Sequence, residues 1–312
     1  MAKKRYCGCS LGLIVILSVV LLALIVVSFI SGTVGSALRG VDPWSIFAVG
    51  TPHHSLPAEH IFGEHIPITN TMLTAGISIL VLFGLFFAGT RKMKLVPRGL
   101  QNFVEFVYET LTNFADDVAG KEFAPKFYAV CGTIFLFVIA NAWISLIPGF
   151  ETIKLHGEPL LRNANTDINV PFMLAMVSFF FVEYWSFKVK RISYLKKYFH
   201  FVPLAQGFKK LFTGRVKAGL GGIGMGLIAV FAGLVELLSE FLRLVAFTFR
   251  LFGNMTAGLL VTVIMIYLVP LVLPSLFYGL EAFLGFVQAM IFGGLTLAFL
   301  TVGVAPEEEE AA

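Results

Sequence analysis

Apolar residues gather into six long runs, 11–30, 69–89, 127–147, 168–187, 220–269 and 277–304, separated by shorter stretches rich in charge, proline or glycine. A run of about 20 apolar residues matches a hydrocarbon layer of roughly 30 Å crossed at 1.5 Å per residue. The apolarity is continuous, whereas barrel strands would alternate, so the runs predict helices. The chain reads as an all-α integral membrane protein with about six membrane helices. Between 96 and 119 the pattern changes: Val-Pro-Arg-Gly-Leu-Gln-Asn-Phe-Val-Glu-Phe, residues 96–106, mixes apolar and acidic positions at helical spacing, which predicts one amphipathic helix lying at the interface. The run 220–269 is about twice the length of an upright crossing, so it must tilt, bend or break. Pro270 and Pro274 then predict a turn, making 220–304 a helical hairpin.

Composition agrees with this reading. Hydrophobic residues make up 57% of the 312, with 33 Phe, and the mean hydropathy is +0.87, far from the values of a soluble globular chain. The net charge of +4 says little as a total, but its placement orients the chain. Lys3, Lys4 and Arg5, then Arg91, Lys92, Lys94 and Arg98, then the dense block from Lys188 to Lys217 all mark the same, cytoplasmic side. That block lies between two spans, so it is read as a positive-inside signal touching lipid heads and not as a nucleic-acid patch. The division expected is an N-terminal anchor with an outside loop at 1–68, a core at 69–304 and an acidic tail at 305–312. The run 11–30 exceeds the apolar core of a secretory signal and is read as an uncleaved anchor.

Candidate metal chemistry is weak. His53, His54, His60 and His65 stand near Glu59 and Glu64 in the outside loop, but their spacing fits no metal-binding pattern and a solvated loop is favoured. Cys7, Cys9 and Cys131 form neither a zinc spacing nor a disulfide framework. No metal and no cofactor is expected. Glu183, near the cytoplasmic end of its run, reads as a snorkelling side chain, and Asn141 either lines water or bridges helices.

The segment 234–260 departs most from the apolar pattern. At 100° per residue Glu236, Glu240, Arg243, Phe247, Arg250, Asn254 and Gly258 fall within about 40° of one line, and Glu236 and Arg250 are separated by about 21 Å. A charge at mid-depth costs about 3 kcal/mol on insertion scales, so such a stripe faces protein or water and marks an ion path. The competing reading is that Glu240 pairs with Arg243 and the charges merely hold helices together. Arg250 weighs against it, because no acidic residue lies within one turn. On the returning helix Glu281 and Gln288 are seven residues apart and share a face. A fold at about Val272 would bring Gln288 to the depth of Asn254–Thr256.

The sequence Arg250-Leu251-Phe252-Gly253-Asn254-Met255, with Ala257-Gly258, resembles the signature of subunit a of the F-type ATP synthases. Ile66-Pro67-Ile68-Thr69-Asn70-Thr71, Val96-Pro97 with Gln101 and Glu105, and Thr166-Asp167-Ile168-Asn169 resemble the same family at corresponding places. The resemblance implies the stator of the membrane F0 sector, with two proton half-channels, a slanted hairpin along the c-ring, and Arg250 facing the ring carboxylate. It places Glu281, Gln288, Asn254, Glu236 and Glu240 on the proton path. Expected partners are the c-ring, the b subunits of the peripheral stalk and the lipid bilayer, in the plasma membrane of a bacterium. The family commonly has a titratable residue nine positions after its arginine, where this chain has Leu259. Glu281 is therefore expected to carry the outer relay with water or with Glu236 and Glu240.

Two other function classes fit less well. A secondary transporter favours two repeated halves and broken helices, and there is no second Arg-Leu-Phe-Gly-Asn. A membrane enzyme would need a nucleophile constellation, a phosphate loop or an intramembrane histidine cluster, and none is legible. The charge pattern predicts both termini inside. Single cysteines introduced at 53–60 should be labelled by an impermeant thiol reagent from outside, and those at 205–210 only from inside; the reverse result would overturn the topology.

Overall fold

A computed structural model of the chain describes residues 5–6, 9–40, 58–61, 68–147, 149–150, 153–155, 158–191, 194, 198, 216–270 and 272–305. The helices are α1 (Leu11–Ser31), α2 (Thr33–Arg39), α3 (Asn70–Thr90), α4 (Leu100–Ser145), α5 (Asn169–Lys190), α6 (Val216–Leu268) and α7 (Leu273–Val304). A 3-10 turn, Ala164–Thr166, precedes α5, and two short antiparallel ladders, β1 (Arg5–Tyr6) with β2 (Cys9–Ser10) and β3 (Lys154–Leu155) with β4 (Glu158–Pro159), complete the described elements. Among the described residues five helices, α3 to α7, are long and apolar enough to cross a membrane, and α1 adds a shorter apolar stretch, Val15–Ile30. The all-α membrane architecture is thus as expected, with helix bounds close to those read from the apolar runs.

Four local features explain those bounds. Thr69 caps α3, its hydroxyl accepting from the Met72 amide at 3.3 Å. Asp167 opens α5: its carboxylate accepts from the Asn169 amide at 3.2 Å and from the Thr71 hydroxyl at 2.9 Å, which ties α5 to α3. Gln101 donates to the Lys94 carbonyl at 2.9 Å and to Glu105 at 2.6 Å, fixing the approach to α4. Gly120, at φ 73° and ψ 157°, divides α4 into an amphipathic arm and a spanning arm, because only glycine takes that backbone without strain.

The outside loop expected after the anchor begins instead with helix α2, whose Gly40 terminates it in the left-handed region at φ 64°. The Thr33 hydroxyl donates to the Tyr267 carbonyl at 2.8 Å, so α2 satisfies one of the free carbonyls at the end of α6. His60 is paired with Thr69 in a single β-bridge, whereas His53, His54, His65, Cys7 and the tail 306–312 lie outside the described residues.

Helix α6 runs 53 residues without interruption, about 80 Å against a core of roughly 30 Å. It does not break, so within a bilayer its length demands tilt or curvature. Its buried hydrophobic residues Leu244, Phe247, Leu251 and Met255 share one core with Phe292 and Ala289 of α7 and Leu174 and Ala175 of α5, and Thr248, Thr256 and Thr262 are buried as well. Close approach of α4 and α7 rests on glycine. A Cβ at Gly285 would lie 2.7 Å from the Ala142 Cβ, and one at Gly293 would lie 3.2 Å from the Cys131 carbonyl. Gly285→Val should therefore destabilise the subunit by about 1–3 kcal/mol through overpacking. Gly84→Ala, where an added Cβ meets nothing within 4 Å, should be neutral or mildly stabilising. Thermal unfolding of the detergent-solubilised subunit checks the contrast.

Candidate functional site

The α6–α7 hairpin turns at 269–272, so residues on the two helices meet in antiparallel register. Two polar rungs result. Asn254 donates to the Gln288 side-chain oxygen at 2.8 Å, and the Thr262 hydroxyl donates to Glu281 at 3.1 Å. Gln288 and Glu281 are buried, while Asn254 stays open on the outer face of α6. Gly258 lies between the rungs, where a Cβ would meet Glu281 at 3.5 Å. Its missing side chain leaves room for the carboxylate. A cleft of about 190 Å³ opens along Asn254, Gly258, Thr262, Glu281 and Leu284, wide enough for several water-sized groups. Trp143 of α4 steadies this part of α7 by donating to the Ala282 carbonyl at 3.1 Å.

Arg250 lies one turn from Asn254 and is exposed. Among the described residues its guanidinium makes no hydrogen bond or ion pair. Arg243 is different: it contacts Glu240 directly, approaches Glu183 of α5 at 3.7 Å, and stacks over Phe299 of α7 at 4.4 Å. The expected Glu240–Arg243 pair is therefore present, and Arg243 uses it to join three helices.

The structure brings Asn254, Gln288 and Glu281 together, as the fold at about Val272 predicts. It does not bring Glu236 or Glu240 to Glu281. Glu281 is level with Thr262, and Glu240 is 22 residues back along α6, about 33 Å away. Residues on one angular stripe of a helix share a face, not a depth. Glu236 and Glu240 belong to the opposite end of the hairpin. Asn141 takes the bridging alternative, accepting from Ser78 of α3 at 2.9 Å. Glu183 does not snorkel; it turns inward and accepts from the Tyr194 hydroxyl at 3.1 Å.

Sequence reasoning passed over three groups. Thr262 carries a readable signal, standing four residues after Gly258 on the same face. Tyr194 sits in the basic block, where no periodicity marks it. Arg162 is only 1% exposed, its amide donating to Thr74 and its Nε to Thr166 at 3.1 Å, in a buried polar layer with Asn165 and Asp167 at the outer ends of α3 and α5. Among the described residues no group of three or more His, Cys, Asp or Glu side chains could hold a metal ion.

Comparison with known proteins agrees with the geometry. The family model for the ATP synthase A chain matches residues 71–301, which include both rungs and Arg250. The chain is similar to ATP synthase subunit a of Gloeobacter violaceus, 31% identical over 77% of this chain and 85% of that protein. It is also similar to the subunit a of Helicobacter pylori strain Shi470, 32% identical over 76% and 88%, and to that of Helicobacter acinonychis, 32% identical over 76% and 88%. With the signature at Arg250, the hairpin rungs and a match over most of its length, this multi-pass membrane chain belongs to the ATP synthase A chain family, the subunit a of the F0 sector.

Proposed function

We propose that this subunit is the stator of a proton-driven rotor in the plasma membrane of a bacterium, held by b subunits and facing a ring of c subunits. Two aqueous half-channels, one open to each side, meet the ring near Arg250. The observation that carries the reading is the exposed guanidinium of Arg250 on an apolar helix face, without a partner among the described residues. A permanent cation in that position calls for an anion from outside the chain, and a ring carboxylate supplies one.

Arginine stays protonated at any relevant pH, so Arg250 acts by its field and carries no proton itself. A ring carboxylate arriving from lipid ionises beside it and releases its proton to one half-channel. It is reprotonated from the other, and the fixed charge repels hydronium from the direct route between them. Each proton descending 100 mV supplies about 2.3 kcal/mol, so several are needed per ATP. The cleft at Glu281, with Gln288 and Asn254 beside it, supports an outer half-channel. Glu236 and Glu240, some 30 Å further along α6, fit the inner one.

Arg250→Ala should abolish proton-driven ATP synthesis in reconstituted vesicles and open a passive proton leak. Arg250→Lys should also fail, because lysine loses the delocalised fork and can deprotonate when poorly solvated. Normal synthesis by an Arg250→Ala complex that still co-purifies with the ring would overturn the stator reading. Glu281→Gln keeps size and removes titration. It should slow ATP-driven pumping by roughly a hundredfold, the lower end of what a positioned proton-transfer group contributes. Parental pumping would leave Glu281 only a packing role.

A further inference from the structure

The inner end of the hairpin holds a hydrogen-bonded file that the half-channel scheme does not require. Tyr194 donates to Glu183 at 3.1 Å and shares a 2.8 Å hydrogen bond with Tyr198. A phenol has one proton, and Tyr194 spends its own on Glu183, so Tyr198 is the donor to Tyr194. Every donor in the file therefore points towards Glu183. Beyond Glu183, its carboxylate and that of Glu240 both reach the same nitrogen, Arg243 Nη2. Glu240 in turn lines a groove of about 570 Å³ with Phe179, Leu238 and Phe241. Arg250 is seven residues beyond Arg243, about 10 Å along the helix.

The surface end of the file is marked as well. Tyr198 is partly exposed, and Lys188 lies over the Trp185 ring at 4.5 Å, the arrangement of an interfacial aromatic belt. Burial, the hydrogen bond with Tyr198 and the charge of Glu183 push the Tyr194 hydroxyl above the ordinary tyrosine range, so it remains a donor.

We propose that Glu183 of α5, fed by Tyr198 and Tyr194, is the proton-transfer group linking Glu240 to the inner surface. This rests on the stator reading. A proton arriving at Tyr198 moves one hydrogen along each hydroxyl and leaves Glu183 protonated with both tyrosines neutral. The proton then passes to Glu240 and the groove, with Arg243 holding the donor and acceptor carboxylates side by side. Release to the inside reverses the hydroxyls. The bland alternative is an ion-pair and aromatic anchor that only joins α5, α6 and α7.

The test uses the whole ATP synthase in vesicles and ATP-driven proton pumping normalised to assembled complex. Glu183→Gln should slow pumping by roughly a hundredfold and flatten its dependence on inner-side pH, Tyr194→Phe should slow it by about tenfold, and Glu183→Asp should restore most of the rate. A purely structural pair would not move the pH profile. Parental pumping by assembled Glu183→Gln overturns the proposal. If that variant fails to assemble, Tyr194→Phe decides, since it removes one hydroxyl and little volume, and parental pumping there overturns the proposal equally. Arg250→Ala run alongside separates the two readings: synthesis retained there removes the stator reading itself. Arg250→Ala inactive with parental Glu183→Gln and Tyr194→Phe removes only the relay.

Discussion

The fold depends on a constraint that water-soluble proteins escape: polar side chains at membrane depth must find their partners inside the protein. In the α6–α7 hairpin those partners lie across the turn. The Asn254–Gln288 and Thr262–Glu281 bonds tie the two helices together in the observed register. Each such bond contributes only about 0.6–2 kcal/mol. An alternative register would leave Gln288 and Glu281, both buried, without a donor or acceptor. Specificity of register comes from these bonds, and the packing of Phe247, Leu251 and Met255 on Phe292 and Ala289 follows from it.

What the sequence disclosed and what it withheld divide along physical lines. Runs of apolar residues measure membrane thickness, so the spans from α3 to α7 were legible to within a few residues. The devices at the helix ends are local in sequence, the Thr69 cap acting over three residues and the Gln101 bonds to Lys94 over seven, although the pattern of apolar runs does not display them. Angular position on α6 could be counted, so Arg250 and Asn254 were correctly expected on one stripe. Depth could not be read from angle, and Glu236 and Glu240 were grouped with Glu281 although they lie at the far end. Partnerships between distant segments, such as Tyr194 with Glu183 or Thr33 with the end of α6, leave no periodic trace. Arg162 shows the same limit, since an arginine in a polar loop reads as solvated until the fold closes over it.

Helix α6 is the least covered of the long helices, with 11% of its apolar window buried, against 44% for α4 and α7. Large apolar side chains such as Phe231, Leu238, Phe241 and Phe249 are exposed along it. Lipid satisfies such a surface without further argument, but it does not satisfy Arg250, which is exposed on the same helix. The small residues Gly253 and Ala257 flank that charge and keep the surface shallow there.

In the stator reading proposed above, that geometry bears on what must move between the two polar zones. Along α6 the outer rung ends at Asn254 and the inner cluster begins at Arg243, about 16 Å apart. The interior side of this interval holds Phe247, Leu251 and Phe292, all nearly inaccessible, with the buried Thr248 hydroxyl beside them bonded to the Leu244 carbonyl. The exposed side carries a single ionisable group, Arg250, whose permanent charge opposes a hopping proton. On that reading a proton crosses the interval on a carrier that is neutral while it moves and is drawn to the cation when empty. A carboxyl group borne on a moving partner has both properties, since burial in lipid favours its protonated form and Arg250 its ionised one. The largely apolar fill and Arg250 would then act together, the first disfavouring a static path and the second drawing in the emptied carrier.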